Sequence, residues 1–102
     1  MLKDKIKTMS QLKGIIRGLK KKGERIAFTN GCFDILHRGH VEYLEASKRC
    51  ANILIVALNS DKSIRKLKGA TRPIINEKER TMIVAALESV DYVTIFEEVD
   101  PL

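Results

Sequence analysis

Tryptophan is absent, and aromatic residues number only five in 102 (three Phe, two Tyr). Proteins that grip single-stranded nucleic acid stack bases on aromatic rings, so such a platform is poorly supplied here. No apolar run approaches the roughly 18 residues of a membrane span. The opening "MLKDKIKTMSQ" is charged where a secretory signal is apolar, so a cytoplasmic protein with no membrane partner is expected. Two cysteines, Cys32 and Cys50, are too few for a disulfide framework and read as reduced thiols. Repeats, low-complexity tracts and Pro/Gly-rich linkers are missing as well. Residues 1–102 therefore read as one small domain.

Positive charge is plentiful: 19 Lys and Arg stand against 13 Asp and Glu, a net charge of +6. Many of these cations fall in "KGIIRGLKKKGER" (13–25), where Leu12, Ile15, Ile16 and Leu19 recur at helical spacing. That pattern is an amphipathic helix with a solvated basic face. A positive field also speeds the arrival of an anionic small molecule, so nucleic acid is not needed to explain it.

After this helix Gly23 suits a C-cap, and "RIAFTN" reads as a buried strand. "HVEYLEASKRCA" (40–51) is helical by its spacing. "NILIVALN" (52–59) is a nearly continuous apolar run, as in a strand covered on both faces. "SDKSIRKLKG" (60–69) is a short helix or turn closed by Gly69. In "NEKERTMIVAALESV" (76–90), Asn76 and Glu79 form a capping-box pattern, and "DYVTIF" (91–96) makes a third strand. Alternating helices and strands predict a Rossmann-like α/β domain with a parallel three-stranded sheet and flanking helices. Ligands in such sheets bind beyond the carboxyl ends of the strands. That rule groups "NGCFDILHRGH", "NSDKS" and "EEVD".

The chain's only two histidines, His37 and His40, lie in the first of these loops, around Gly39. Neither the dinucleotide fingerprint nor a P-loop is present. A glycine-bearing turn that opens a helix nevertheless suits an anion, through its amides and the helix dipole. Both imidazoles would then donate hydrogen bonds to phosphate oxygens, with Gly39 allowing close approach. Capping of the helix is the plainer reading for one histidine and weighs less for two. A zinc site is a poor match, because Cys-x4-His-x2-His lacks the usual paired spacing and Cys50 sits at the far end of the helix. No protein metal ligands are assigned.

"HRGH" resembles the HxGH signature of the cytidylyltransferase-like nucleotidyltransferases. The longer set "FTNGCFDILHRGHVEYLE", "LIVALNSDKSIRKLKG", "TRPI", "ER" and "ALESVDYV" is similar to the heptose 1-phosphate adenylyltransferase (ADP-heptose synthase) domain, from about residue 25 onward. The resemblance implies ATP and a sugar 1-phosphate as substrates, Mg2+, and ADP-heptose for the lipopolysaccharide core as product. A cytidylyltransferase or another HxGH enzyme with a different phosphorylated acceptor is the alternative, and a non-catalytic nucleotide- or nucleic-acid-binding module is the rival from another class.

Carried over by position, the resemblance gives His37, His40 and Lys68 catalytic roles around the phosphates. Thr29, Asn30, Gly31, Phe33, Asp34, Gly39, Asn59, Asp61, Arg72 and Arg80 would line the nucleotide. Asp34 would border the substrate and metal region. Lys68 and Arg72, flanking "KGATRP", would neutralise acceptor phosphate or pyrophosphate. Arg80, in the first turn of its helix, opposes the helix dipole and would gain from a bound anion. The resembled fold has five strands and a late Ser/Thr-rich helix start that this sequence does not show. The expectation is an incomplete domain with "RIAFTN" at an open sheet edge, which invites a homodimer.

Overall fold

The computed structural model describes residues 2–97. Three parallel strands, β1 (Ile26–Gly31), β2 (Ile53–Asn59) and β3 (Tyr92–Phe96), lie in the order β1-β2-β3. Four helices accompany them: α1 (Met9–Lys21), α2 (Arg38–Arg49), α3 (Asp61–Lys68) and α4 (Glu77–Ala85). The architecture is the α/β, Rossmann-like one expected from the sequence. Phe28 pairs in register with Ile55, and Ile55 with Tyr92.

Caps written in the sequence set the helix starts. Asn76 and Ser60 accept the backbone N–H groups of Glu79 and Ser63 through their side chains. Thr8 and Gln11 satisfy each other's amides in a full capping box, so α1 begins four residues before the basic run. Past its C-cap, Gly23 takes φ +77°, a conformation that costs glycine little.

Side chains alternate across the sheet, so Leu54, Val56, Leu58 and Val93 share one face. There they form a core with Leu44 of α2 and Val84 and Ala85 of α4. Ile55 points the other way, the side along which α1 returns from the β3 edge to β1. Asp91 ties the amino end of the sheet together, accepting from the Leu54 amide and pairing with Lys48.

Two expectations need correction. "RIAFTN" is not a wholly buried strand: Thr29 is buried, but Phe28 is 61% exposed. Among the described residues β1 pairs only with β2, so one edge is open and the sheet face beside it is partly bare. The last helix stops at Ala85 rather than near residue 90, because turns at Leu87 and Val90 bring Val90 into the core before β3 begins.

At the opposite edge, Ile6 bridges Val93 in parallel, and the Lys7 amide bonds the Val93 carbonyl at 2.9 Å. This N-terminal strap shields part of the outer side of β3.

Urea unfolding checks the contrast between the faces. Leu54→Ala should cost about 2–5 kcal/mol, as for a buried leucine. Phe28→Ser should cost less than about 1 kcal/mol, as for surface changes. Equal losses would mean that the Phe28 face is covered in solution.

Candidate active site

The carboxyl end of β1 runs into a turn that must reverse direction and start α2 within six residues. Phe33 makes the reversal at φ +47°, a left-handed conformation uncommon for a side-chain-bearing residue. Its ring is buried in the core and packs 5.3 Å from the His40 ring, centroid to centroid. Gly31 lies tightly against it, since a Cβ there would stand 3.0 Å from the Phe33 ring.

His37 is the N-cap of α2 and His40 is its third residue. The Gly39 amide donates to His37 Nδ1 at 3.0 Å, and the His37 amide donates to His40 Nδ1 at 3.2 Å. The rings lie 4.1 Å apart, centroid to centroid. Each Nδ1 accepts a backbone proton, so the neutral tautomer of each ring carries its own proton on Nε2. Capping and ligand donation are therefore compatible. The backbone uses one nitrogen of each ring and leaves an N–H on the other.

Gly39 has a structural task beside the one expected of it. A Cβ at this position would lie 2.8 Å from His37 Cε1, so its absence makes room for the capping imidazole itself. His37 is exposed and His40 half-buried. Burial, with the neighbouring His37 charge second, pushes the His40 pKa below the usual imidazole value.

Asp34 is buried beneath the turn and reaches across to the segment between α3 and α4. Its carboxylate accepts the Ile74 and Ile75 amides, each at 2.9 Å, and Arg72 Nη1 at 2.9 Å. Burial alone would raise its pKa, but the Ile75 and Ile74 amides and the Arg72 guanidinium together hold it below the usual carboxylate range. Asp34 is thus a latch between two loops, and Arg72 is drawn to the turn by it.

The end of β2 closes the other side. Asn59 is buried, donating to Ser63 Oγ at 3.1 Å, while the Cys32 thiol lies 3.8 Å from Asn59 Oδ1. Asp61 starts α3, its amide held by Glu77 Oε1 at 2.8 Å. Arg80 corrects the expectation of an open anion contact: its side chain is fully buried and bonded to protein oxygens, among them Asp61 Oδ1 at 2.7 Å.

Thr29 is buried and donates to the Tyr43 hydroxyl at 3.1 Å. Asn30 is exposed near the carboxyl end of β1. Lys68 lies exposed in the last turn of α3 and makes no hydrogen bond or ion pair to the turn among the described residues. Of "EEVD", only Glu97 is a described residue.

The residues present do not build a cation cage. Asp34 is occupied by two amides and Arg72, and Asp61 by Arg80. Among the described residues no three His, Cys, Asp or Glu side chains gather to hold a metal.

Sequence reasoning missed Tyr43, Ser63, Glu77 and the Cys32 backbone as parts of this end of the sheet. Tyr43, one helical step beyond His40, was within reach of spacing arguments. The others act through contacts that no local pattern encodes.

Two pH effects follow. Asp34 has a depressed folded pKa, so its stabilisation is complete above about 3.9 and is lost as pH falls through the lower folded value. The stability gap between wild type and Asp34→Asn should stay constant from pH 7 to 5 and shrink only under stronger acid. His40 is also depressed, so its stabilisation is complete above about 6.5 and fades as pH falls through the lower folded value. Thermal midpoints between pH 7.5 and 5.5 should fall less for His40→Asn than for wild type.

Comparison with known proteins bears on this geometry. The chain is 54% identical over 98 residues to the bifunctional protein HldE of Geobacter metallireducens and 53% identical over 98 residues to that of Geotalea uraniireducens. Each alignment covers 96% of this chain and 20% of the relative, so the chain spans about a fifth of the length of these curated relatives. A crystal structure of the lipopolysaccharide core biosynthesis protein from Thermoplasma volcanium matches with a TM-score of 0.70 at 33% identity, covering 76% of this chain and 62% of that one. The cytidylyltransferase-like family profile matches residues 28–102, from the middle of β1 through the histidine turn and the rest of the sheet. With its HxGH turn at the carboxyl end of a parallel α/β sheet, the chain belongs to the cytidylyltransferase-like family.

Proposed function

We propose that this chain is the nucleotidyltransferase part of an ADP-heptose synthase, transferring AMP from ATP to heptose 1-phosphate. The observation that carries the reading is the pair of imidazoles at the start of α2, each bound to backbone through Nδ1 and carrying its proton on Nε2. The likeness to the HldE proteins and to a lipopolysaccharide core biosynthesis protein supports the choice of acceptor.

An oxygen of the sugar phosphate attacks the α-phosphorus of ATP. The bond from that phosphorus to the bridging oxygen of the β-phosphate breaks, and pyrophosphate leaves. The acceptor is already an anion, so no strong general base is needed. Catalysis then consists of holding the groups in line and meeting the growing negative charge with fixed donors. The Nε2–H groups of His37 and His40 supply such donors, and the N-terminal dipole of α2 adds to them. A neutral His40 suits this task, because protonation at Nδ1 would break its bond to the His37 amide. Mg2+ bound to the ATP phosphates would be part of the substrate and would neutralise some of their charge.

Asn30 and Gly31 end β1 beside the turn and would border the nucleotide. Arg72, half-exposed although latched to Asp34, would meet the acceptor phosphate or the departing pyrophosphate. Lys68 would join it by a movement of the loop between α3 and α4. In this reading residues 1–102 form a single nucleotidyltransferase domain, acting on small molecules in the cytoplasm without a membrane or nucleic-acid partner. The open edge of β1 suits pairing with a further strand, including one from a second copy.

Calorimetric titration with ATP and with CTP, each in magnesium, tests the reading. Saturable ATP binding that His40→Ala abolishes is expected. Where pyrophosphate release from heptose 1-phosphate is measurable, His37→Ala and His40→Ala should each lower it by about 10²–10³. A preference for CTP would replace the adenylyl assignment. Binding that falls steeply with salt yet survives His40→Ala would point instead to a polyanion-binding module.

A further inference from the structure

We propose that Arg80 is a positioning residue: buried and out of a ligand's reach, it sets the shape of the histidine turn by holding the Cys32 and Asn59 carbonyls. The inference deepens the nucleotidyltransferase reading and rests on it for its link to catalysis.

The guanidinium is completely buried, and four of its five N–H donors are matched by four separate oxygens. Nε donates to the Ile75 carbonyl at 2.8 Å. Nη1 donates to the Cys32 carbonyl at 2.7 Å and the Asn59 carbonyl at 2.9 Å. Nη2 donates to Asp61 Oδ1 at 2.7 Å. Those oxygens belong to the turn after β1, the end of β2, the start of α3 and the segment before α4.

One planar group thus ties together the turn after β1, the end of β2, the start of α3 and the segment before α4. Cys32 immediately precedes Phe33, whose left-handed backbone aims the turn and whose ring packs on His40. A shift at the Cys32 carbonyl would pass directly to the histidines. A lysine cannot reproduce this, since it offers a point charge in place of a fork. Misplacement of reacting groups by about 1 Å can cost about a hundredfold in rate.

The experiment compares Arg80→Lys, Arg80→Met and a control, Val90→Ala, which opens a core cavity before β3 at the amino end of the sheet. Two quantities are read on folded protein well below each thermal midpoint: the alkylation rates of Cys32 and Cys50 by iodoacetamide, followed by mass spectrometry, and the affinity for magnesium ATP. Release of the turn should raise the Cys32 rate several-fold in both Arg80 variants while exposed Cys50 is unchanged, and ATP affinity should fall at least about tenfold. Val90→Ala should lower the thermal midpoint and leave both readings at wild-type values.

A wild-type Cys32 rate in a folded Arg80 variant would overturn the proposal, as would undiminished ATP affinity. Arg80→Met covers the case in which Arg80→Lys does not fold, because it removes the buried cation and leaves only Asp61, whose carboxylate keeps some access to water. Should wild type itself fail to bind ATP, the nucleotidyltransferase reading falls, and the Cys32 rates still decide whether Arg80 holds the turn.

Discussion

The carboxyl end of this sheet is organised around a cation that has no route to water. A buried guanidinium is costly unless its charge is balanced and its donors are met. Here Asp61 balances Arg80, while three main-chain carbonyls take up further donors. These partners are distant in sequence, so no one segment can be placed without the others. Polar loops at the rim of a small sheet are usually its most easily opened parts. This rim is instead bound together from within, and the Asp34 latch adds a second tie on its outer side.

Resting on that frame, the histidine turn settles a competition between structure and chemistry. A helix start needs acceptors for its first amides, a need usually met by Ser, Thr, Asp or Asn. Those side chains would leave no ring N–H to offer a phosphate. Imidazole has two nitrogens on opposite sides of one ring, so it can answer the backbone and still present a donor. Two such rings, tilted against each other with centroids 4.1 Å apart, would repel each other if both were protonated. Partial burial first, and the neighbouring His37 charge second, depress the His40 pKa.

Most of the framework was legible in the sequence because local signals agreed with one another. The apolar run of β2, the caps at Ser60 and Asn76 and the glycines at 23 and 69 each mark a boundary that the fold respects. The histidine pair was legible for the same reason: it sits at a strand-to-helix turn. Arg80 was misread because its position in the first helical turn is an unfavourable place for a cation, which suggested a missing anion. The anion was Asp61, 19 residues away, and the remaining acceptors were main-chain carbonyls that carry no sequence signature. Asp34 shows the same limit, since two of its partners are amides 40 and 41 residues downstream. β1 is apolar in composition, yet Phe28 is exposed, because it lies on the partly bare face of a strand at the edge of the sheet.

The N-terminal strap gives the sheet a direction of growth. Ile6 and Lys7 occupy part of the outer side of β3, whereas β1 keeps its outer backbone groups unpaired with any strand among the described residues. Any strand added to this sheet therefore has its open berth beside β1, whose carboxyl end leads into the histidine turn. A strand supplied there would lie beside that turn, so enlarging the sheet and enclosing the turn would become one event.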